Sequence, residues 1–295
     1  MDLEKLTTEK RNEKTMQLDE MTIEEILYLM NHEDQIVPKN VEKEIPQIKK
    51  VVDTIIEVFQ NEGRLIYIGA GTSGRLGILD AAECVPTFGT SPEKVVGLIA
   101  GGMSAMTVAV EGAEDSEELA KSNLKDLKLT DKDIVIGIAA SGRTPFVVGG
   151  LKYANEIGAA TASIACNKNS IISTYATIPI EVEVGPEILT GSTRLKSGTA
   201  QKLILNMLST VSMIGIGKIY KNLMVDVQPT NEKLVERSKR IIMQATDCTY
   251  EEASESFENA NRDVKLSIVM LLTNLGMDEA KARLKQAKGF VRKTL

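Results

Sequence analysis

The chain has no tryptophan and a single histidine, His32. It has only three cysteines, Cys84, Cys166 and Cys248, spread too widely for a disulfide framework or a zinc cluster. Reduced thiols and a cytoplasmic protein without a bound metal are the expectation. With one histidine, in the polar stretch "NHEDQIVPKN" that reads as a solvated loop, proton transfer near neutral pH falls to carboxylates or lysines. No apolar run approaches the ~18 residues a membrane span requires, and the charged start "MDLEKLTTEKRNEKT" lacks the apolar core of a signal peptide. Positive charge is not in excess either: 35 Lys and Arg stand against 41 Asp and Glu, a formal charge of -6. A broad nucleic-acid footprint is thereby excluded, and any small anion must be held locally.

What is present, 43% hydrophobic residues over 295 positions, suffices for one large or two modest cores. A capping box, Thr22 with Glu25, opens a short arm helix over 22–30. A second helix is expected from about Val41 to Gln60, kinked at Pro46 and closed by Gly63. Short apolar strands then alternate with helices: Leu65–Gly69, Val95–Ala100, Ile134–Ala139, Thr161–Cys166 and Ile178–Val184. They lack inside/outside alternation, as strands buried on both faces do. The expected fold class is α/β, a doubly wound parallel five-stranded sheet over 55–218, with an N-terminal helical arm over 1–54 and a small helical domain over 219–295. In that last part Thr249 and Glu252 form a further capping box. The helix expected from Ser192 to about Ile216 includes "LILNMLSTVSMIGIG", apolar on nearly every side, and needs cover from its own domain or from a second subunit, so a homodimer is expected.

The first strand ends in Gly69-Ala70-Gly71-Thr72-Ser73-Gly74, which fits G-x-G-x-x-G. A dinucleotide site would need an acid about 20 residues on, at the end of the second strand; that strand ends in "LIAGGMS". The third strand ends in "GIAASGRTP", so Ser141-Gly142-Arg143-Thr144 echoes Ser73-Gly74-Arg75-Leu76. Two strand-to-helix turns with one hydroxyl-glycine-arginine signature would each aim N–H groups and hydroxyls from a helix N-terminus, and one terminal phosphate held between them is the natural outcome. Taken singly, either turn is equally well a structural cap. Arg75 and Arg143, each in the first turn of its helix, read first as structural bridges to a neighbouring carboxylate and second as contacts to the phosphate. Glu83, Glu111, Glu114 and Glu187 are carboxylates in small, apolar surroundings, where a raised pKa suits acid or base work. For any one of them a surface or helix-end role is the simpler reading. About ten residues of helix, some 15 Å, separate Ser73 from Glu83. Either the helix breaks early and folds back around Pro86, the favoured route, or Glu83 serves a partner subunit's site.

The stretches "RLIYIGAGTSGRLGILDAAECVPTFG", "VEGAEDS", "GIAASGRTP", "GPEILTGSTRLKSGTAQKLILNMLST" and "NLMVDVQPTNEKL" resemble the N-acetylmuramic acid 6-phosphate etherases, enzymes of cell-wall recycling with a sugar isomerase (SIS) domain. The resemblance covers nearly the whole chain; Val85 stands where proline is expected before Pro86. It implies cleavage of the ether between D-lactate and C3 of the amino sugar, without metal or organic cofactor. Carried over by motif, Glu83 protonates departing lactate and then activates water, and Glu114 is the second catalytic carboxylate, acting at C2, with Glu187 in reserve for that proton. The same kinship implies that Thr72, Ser73, Ser141 and Thr144, with Gly71 and Gly142 of the same turns, hold the 6-phosphate, and that the tail is similar to a ubiquitin-associated-like fold. A sugar-phosphate sensor and a ketose-aldose isomerase remain the alternatives.

Overall fold

The five apolar runs form one parallel sheet in a computed structural model that describes residues 6–229 and 231–295. Its strands are β1 (Leu65–Gly69), β2 (Val95–Ile99), β3 (Ile134–Ala139), β4 (Ala160–Ala165) and β5 (Ile178–Glu181), in the order β2-β1-β3-β4-β5. Every residue of β1 and β3 is buried, which is why these strands carry Ile, Val and Ala on both faces. From β1 the chain passes through α4 (Gly71–Phe88) to β2 on one side, then through α5 (Glu117–Asp126) to β3 on the other. The order therefore reverses between β1 and β3, the crevice where open α/β sheets bind ligands.

Side-chain alternation divides the helices between the faces. Ile66, Ile68, Val135 and Ala139 join Leu124 of α5 and Phe146, Val147 and Leu151 of α6 (Pro145–Ile157) in one core. Tyr67, pointing the other way, meets α4, and its hydroxyl donates to Asp80 at 3.0 Å.

Two compact units result: the described residues up to Ala81 with Glu93–Ser209, and Ala82–Pro92 with Thr210–Leu295. The arm helices thus count within the first unit, and 82–92 goes with the helical tail. In that second unit the hairpin of β6 (Ile219–Tyr220) and β7 (Leu223–Met224), not foreseen, joins α8 (Glu232–Thr246), α9 (Tyr250–Asn259), α10 (Val264–Thr273) and α11 (Met277–Gln286) around Phe257, Ile242 and Ile268. Both expected capping boxes are formed, Thr22 with Glu25 and Thr249 with Glu252.

Three local expectations fail. His32 lies inside α1 (Ile23–Asp34), because the arm helix runs a turn further than its apolar pattern. The expected helix over 41–60 is two helices, α2 (Ile36–Lys43) and α3 (Ile45–Gln60), broken at Glu44 so that Pro46 sits in a first turn, where its missing N–H costs nothing. Finally, α4 neither breaks early nor folds back: it continues through Pro86 to Phe88.

The first turn depends on glycine. Gly71 has φ +51°, and a Cβ on Gly74 would lie 2.7 Å from Gly69 O and 2.6 Å from Ile99 Cγ1. Gly74→Ala is therefore expected to lower stability by about 1–3 kcal/mol, the range for overpacking. Urea unfolding checks it; an unchanged midpoint would show that the turn has room to relax.

Candidate active site

The two hydroxyl turns leave the sheet side by side, because β1 and β3 are direct neighbours with Gly69 opposite Ile138. Adjacent strands lie about 4.8 Å apart, so one phosphate can span both turns. In the first turn Gly71 is exposed and Thr72 half-buried, at the start of α4, where the first N–H groups have no intrahelical partner. In the second, Gly142 has φ +72°, and a Cβ there would come within 2.3 Å of Ser170 Cβ. Thr144 is the N-cap residue of α6, with Pro145 following, yet its side chain makes no capping hydrogen bond. Ser141 Oγ accepts a long bond, 3.4 Å, from Arg143 N–H.

Beneath the second turn, Asn167 Nδ2 donates to Ala140 O at 3.2 Å while its Oδ1 accepts from Thr7 N–H at 2.7 Å. The N-terminal arm thereby helps to hold the turn in place.

A cavity of about 220 Å³ opens beside the first turn, lined by Gly71, Arg75, Ala100, Glu111 and Glu114 among others. Its far wall is the irregular chain after β2, where Gly112, at φ +72°, leads into the short 3-10 turn Ala113–Asp115 that carries Glu114. Arg75 Nε donates to Met106 O at 3.0 Å, tying this wall to α4. Its partner is a main-chain carbonyl and not the carboxylate expected from the sequence.

The structure thus brings Gly71 and Glu114 to one cavity and sets Thr72 and Ser73 in the adjoining helical turn. Ser141, Gly142 and Thr144 stand on the neighbouring turn. Glu83 is exposed, near the end of α4, and does not line the cavity. Glu187 is fully buried, and its two carboxylate oxygens accept the N–H groups of Lys196 and Ser197, each at 2.9 Å. It closes the N-terminus of α7 (Lys196–Gly215), so the reserve base is engaged as a helix cap.

Two charged groups escaped the sequence reading. Asp80, on α4, is pushed up to about 6 by burial, against the opposing hydrogen bonds from Ser209 and Tyr67. Glu33, on α1, receives Lys196 Nζ at 2.6 Å, Lys14 Nζ at 2.8 Å and Asn12 Nδ2 at 3.0 Å. Burial works to raise its pKa, but the two lysines outweigh it and hold the group at about 2. Only apolar neighbours one turn away on either side, Leu76 and Cys84, hinted at Asp80; nothing local hinted at a pair spanning 163 positions.

Two family models match the sequence. A model of the glucokinase regulatory protein N-terminal SIS domain matches residues 47–155, and one of the SIS domain matches 102–211. The chain is 70% identical over 295 residues to N-acetylmuramic acid 6-phosphate etherase 2 of Lactiplantibacillus plantarum, covering all of both chains. It is 67% identical over 293 residues to the N-acetylmuramic acid 6-phosphate etherase of Bacillus cereus, covering 99% of this chain and all of that one. The chain belongs to the N-acetylmuramic acid 6-phosphate etherase family. Among solved structures, phosphoheptose isomerase from Neisseria gonorrhoeae is similar with a TM-score of 0.51 at 15% identity, covering 65% of this chain and 99% of that one. That likeness shows that the sheet and its helices are shared with the SIS fold. The etherase family thus builds on a sheet whose crevice lies where the two hydroxyl turns meet.

Proposed function

We propose that the chain cleaves the D-lactyl ether of N-acetylmuramic acid 6-phosphate, giving N-acetylglucosamine 6-phosphate and D-lactate. The observation that carries this reading, together with the full-length kinship, is the pair of hydroxyl turns flanking the switch point between β1 and β3. Gly71, Thr72, Ser73, Ser141, Gly142 and Thr144 hold the 6-phosphate through N–H groups and hydroxyls. Ring opening exposes the C1 aldehyde, which acidifies the C2 proton. Glu114, on the cavity wall, takes that proton. The C3–O bond then breaks, with Glu83 giving a proton to departing lactate, and the conjugate base of Glu83 next deprotonates a water that adds to C3. The C2 proton returns, so the sum is substrate plus water to the two products. Charge built up at C2 is delocalised into the carbonyl, which is why no metal is needed.

With α4 unbroken, the fold-back route to Glu83 is gone, and Glu83 serves the site of a second subunit. A homodimer is further supported by exposed apolar side chains on α1, Ile23 at 80%, Leu27 at 61% and Tyr28 at 63% exposure. No helix among the described residues is long and apolar enough to cross a membrane; a phosphorylated substrate and free cysteines fit the cytoplasm. Residues 55–218 form the sugar-phosphate domain and 219–295 the helical domain of this reading.

Purified protein incubated with N-acetylmuramic acid 6-phosphate is expected to release D-lactate. Tight binding of fructose 6-phosphate without lactate would replace the enzyme by a sensor. Ser141→Ala and Thr144→Ala are each expected to raise KM about tenfold or more with little change in kcat, since a hydrogen bond to a charged group contributes about 1.5–3 kcal/mol. Steady-state kinetics decide; an unaltered KM in both removes the second turn from the phosphate site.

A further inference from the structure

Ser73 does not face open solvent: it is 7% exposed, and its hydroxyl donates to Oε1 of Gln201 at 2.9 Å. Gln201 is on α7, fully buried, and its Nε2 has no hydrogen-bond partner. One turn earlier on α7, Ser197 is also fully buried with an unpaired hydroxyl. The same helical turn of α7 reaches Thr72, whose Cγ2 would be 3.4 Å from a Cβ on Gly198. An orphaned buried amide donor is an expensive arrangement for a protein to keep, and here it stands against a hydroxyl assigned to the substrate.

We propose that Gln201 is a positioning residue for the phosphate: on substrate binding its amide turns over, so that Nε2 donates to Ser73 Oγ and the Ser73 O–H is released to donate to a phosphate oxygen. The turn exchanges two atoms of nearly equal size and needs no backbone motion. It gives the orphaned Nε2 an acceptor and carries Oε1 into the place Nε2 leaves. Ser197, the i, i+4 neighbour on α7, has a hydroxyl without an acceptor on the same helix face. In the free protein the Ser73 proton is held inward by Gln201, and the phosphate, a stronger acceptor than an amide oxygen, draws it outward. This inference rests on the reading of the first turn as part of the phosphate site.

The test is a double-mutant cycle on KM for N-acetylmuramic acid 6-phosphate with Ser73→Ala, Gln201→Met and the two combined. Ser73→Ala is expected to raise KM about tenfold and Gln201→Met about three- to tenfold, with kcat held within about twofold. The combination should do no worse than Ser73→Ala alone, since Gln201 acts only through that hydroxyl. Effects that multiply, or a silent Gln201→Met, would overturn the proposal. A silent Ser73→Ala would instead overturn the phosphate reading of the first turn, and this inference with it. Should Gln201→Met not fold, Gln201→Leu replaces it in the cycle: it too lacks an amide donor, and the same rise in KM of about three- to tenfold, absent in combination with Ser73→Ala, is expected.

Discussion

Glu83→Ala is expected to lower lactate release by at least about 10³-fold while leaving the affinity for N-acetylglucosamine 6-phosphate within about twofold. A positioned general acid contributes about 10²–10⁴ to a rate, and in the proposed mechanism this one is used twice, at departure of lactate and at addition of water. Product binding, which the proposal gives to the hydroxyl turns, does not require it. Lactate assay and titration calorimetry read the two halves separately; loss of affinity in step with rate would show that the residue shapes the pocket instead. The assignment to a second subunit has its own signature. If Glu83 and Glu114 of one site come from different chains, a dimer mixing Glu83→Ala with Glu114→Ala chains has one site with both changes and one with neither. Two inactive variants, unfolded and refolded together, should then recover about a quarter of wild-type activity, half the dimers being mixed and each having one of two sites intact. No recovery, with mixed dimers shown to form, would place both glutamates in one chain.

The largest stability effect is expected at Lys196→Met. Lys196 is 1% exposed and reaches Glu33, itself 5% exposed, at 2.6 Å. Removing one partner of a buried pair leaves the other charge desolvated, at a cost of about 3–5 kcal/mol; Lys14 and Asn12, which also bond Glu33, set the loss towards the lower end. Glu33→Gln combined with Lys196→Met should recover much of that loss, because neither charge is then stranded. The same pair fixes an acid limb. Glu33 is lowered from 4.5 to about 2 in the folded protein, so the unfolded chain binds its proton first. Its contribution, on the order of 3 kcal/mol, is complete above about pH 4.5 and disappears as pH falls to about 2. Asp80 has the opposite sign: raised from 3.8 to about 6, it takes its proton first in the folded state, and stability should decline as pH rises from about 4 to 6. Melting temperatures across pH 2–7 would show both limbs. Glu33→Gln with Lys196→Met should flatten the lower one, and Asp80→Asn the upper.

Much of the candidate site was legible because its signals are local. Gly71 and Gly142, at positive φ, and the hydroxyls beside them are dictated by turns a few residues long, and the repetition of one signature at Ser73 and Ser141 survives any choice of partner. Local composition offered Glu114 as one of four carboxylates and only the family resemblance singled it out; nothing in "VEGAEDS" shows that a short turn folds against Gly71. The length of α4 was misjudged because Pro86 is a local breaker, and the loss of one hydrogen bond at Ala82 O was too little to end an eighteen-residue helix.

The sequence by itself determined the alternation of strand and helix, the burial of the sheet on both faces, the capping of α1 and α9, and the two turns at the crevice. Each follows from spacings of two to four residues, the range over which a backbone's own periodicity acts. Tertiary structure alone decided which polar groups meet: Ser73 with Gln201 across 128 positions, Glu33 with Lys196 across 163, and Glu187 on the first turn of α7. A buried donor or charge must find its partner wherever packing leaves one within about 3 Å, and packing joins residues without regard to their distance along the chain.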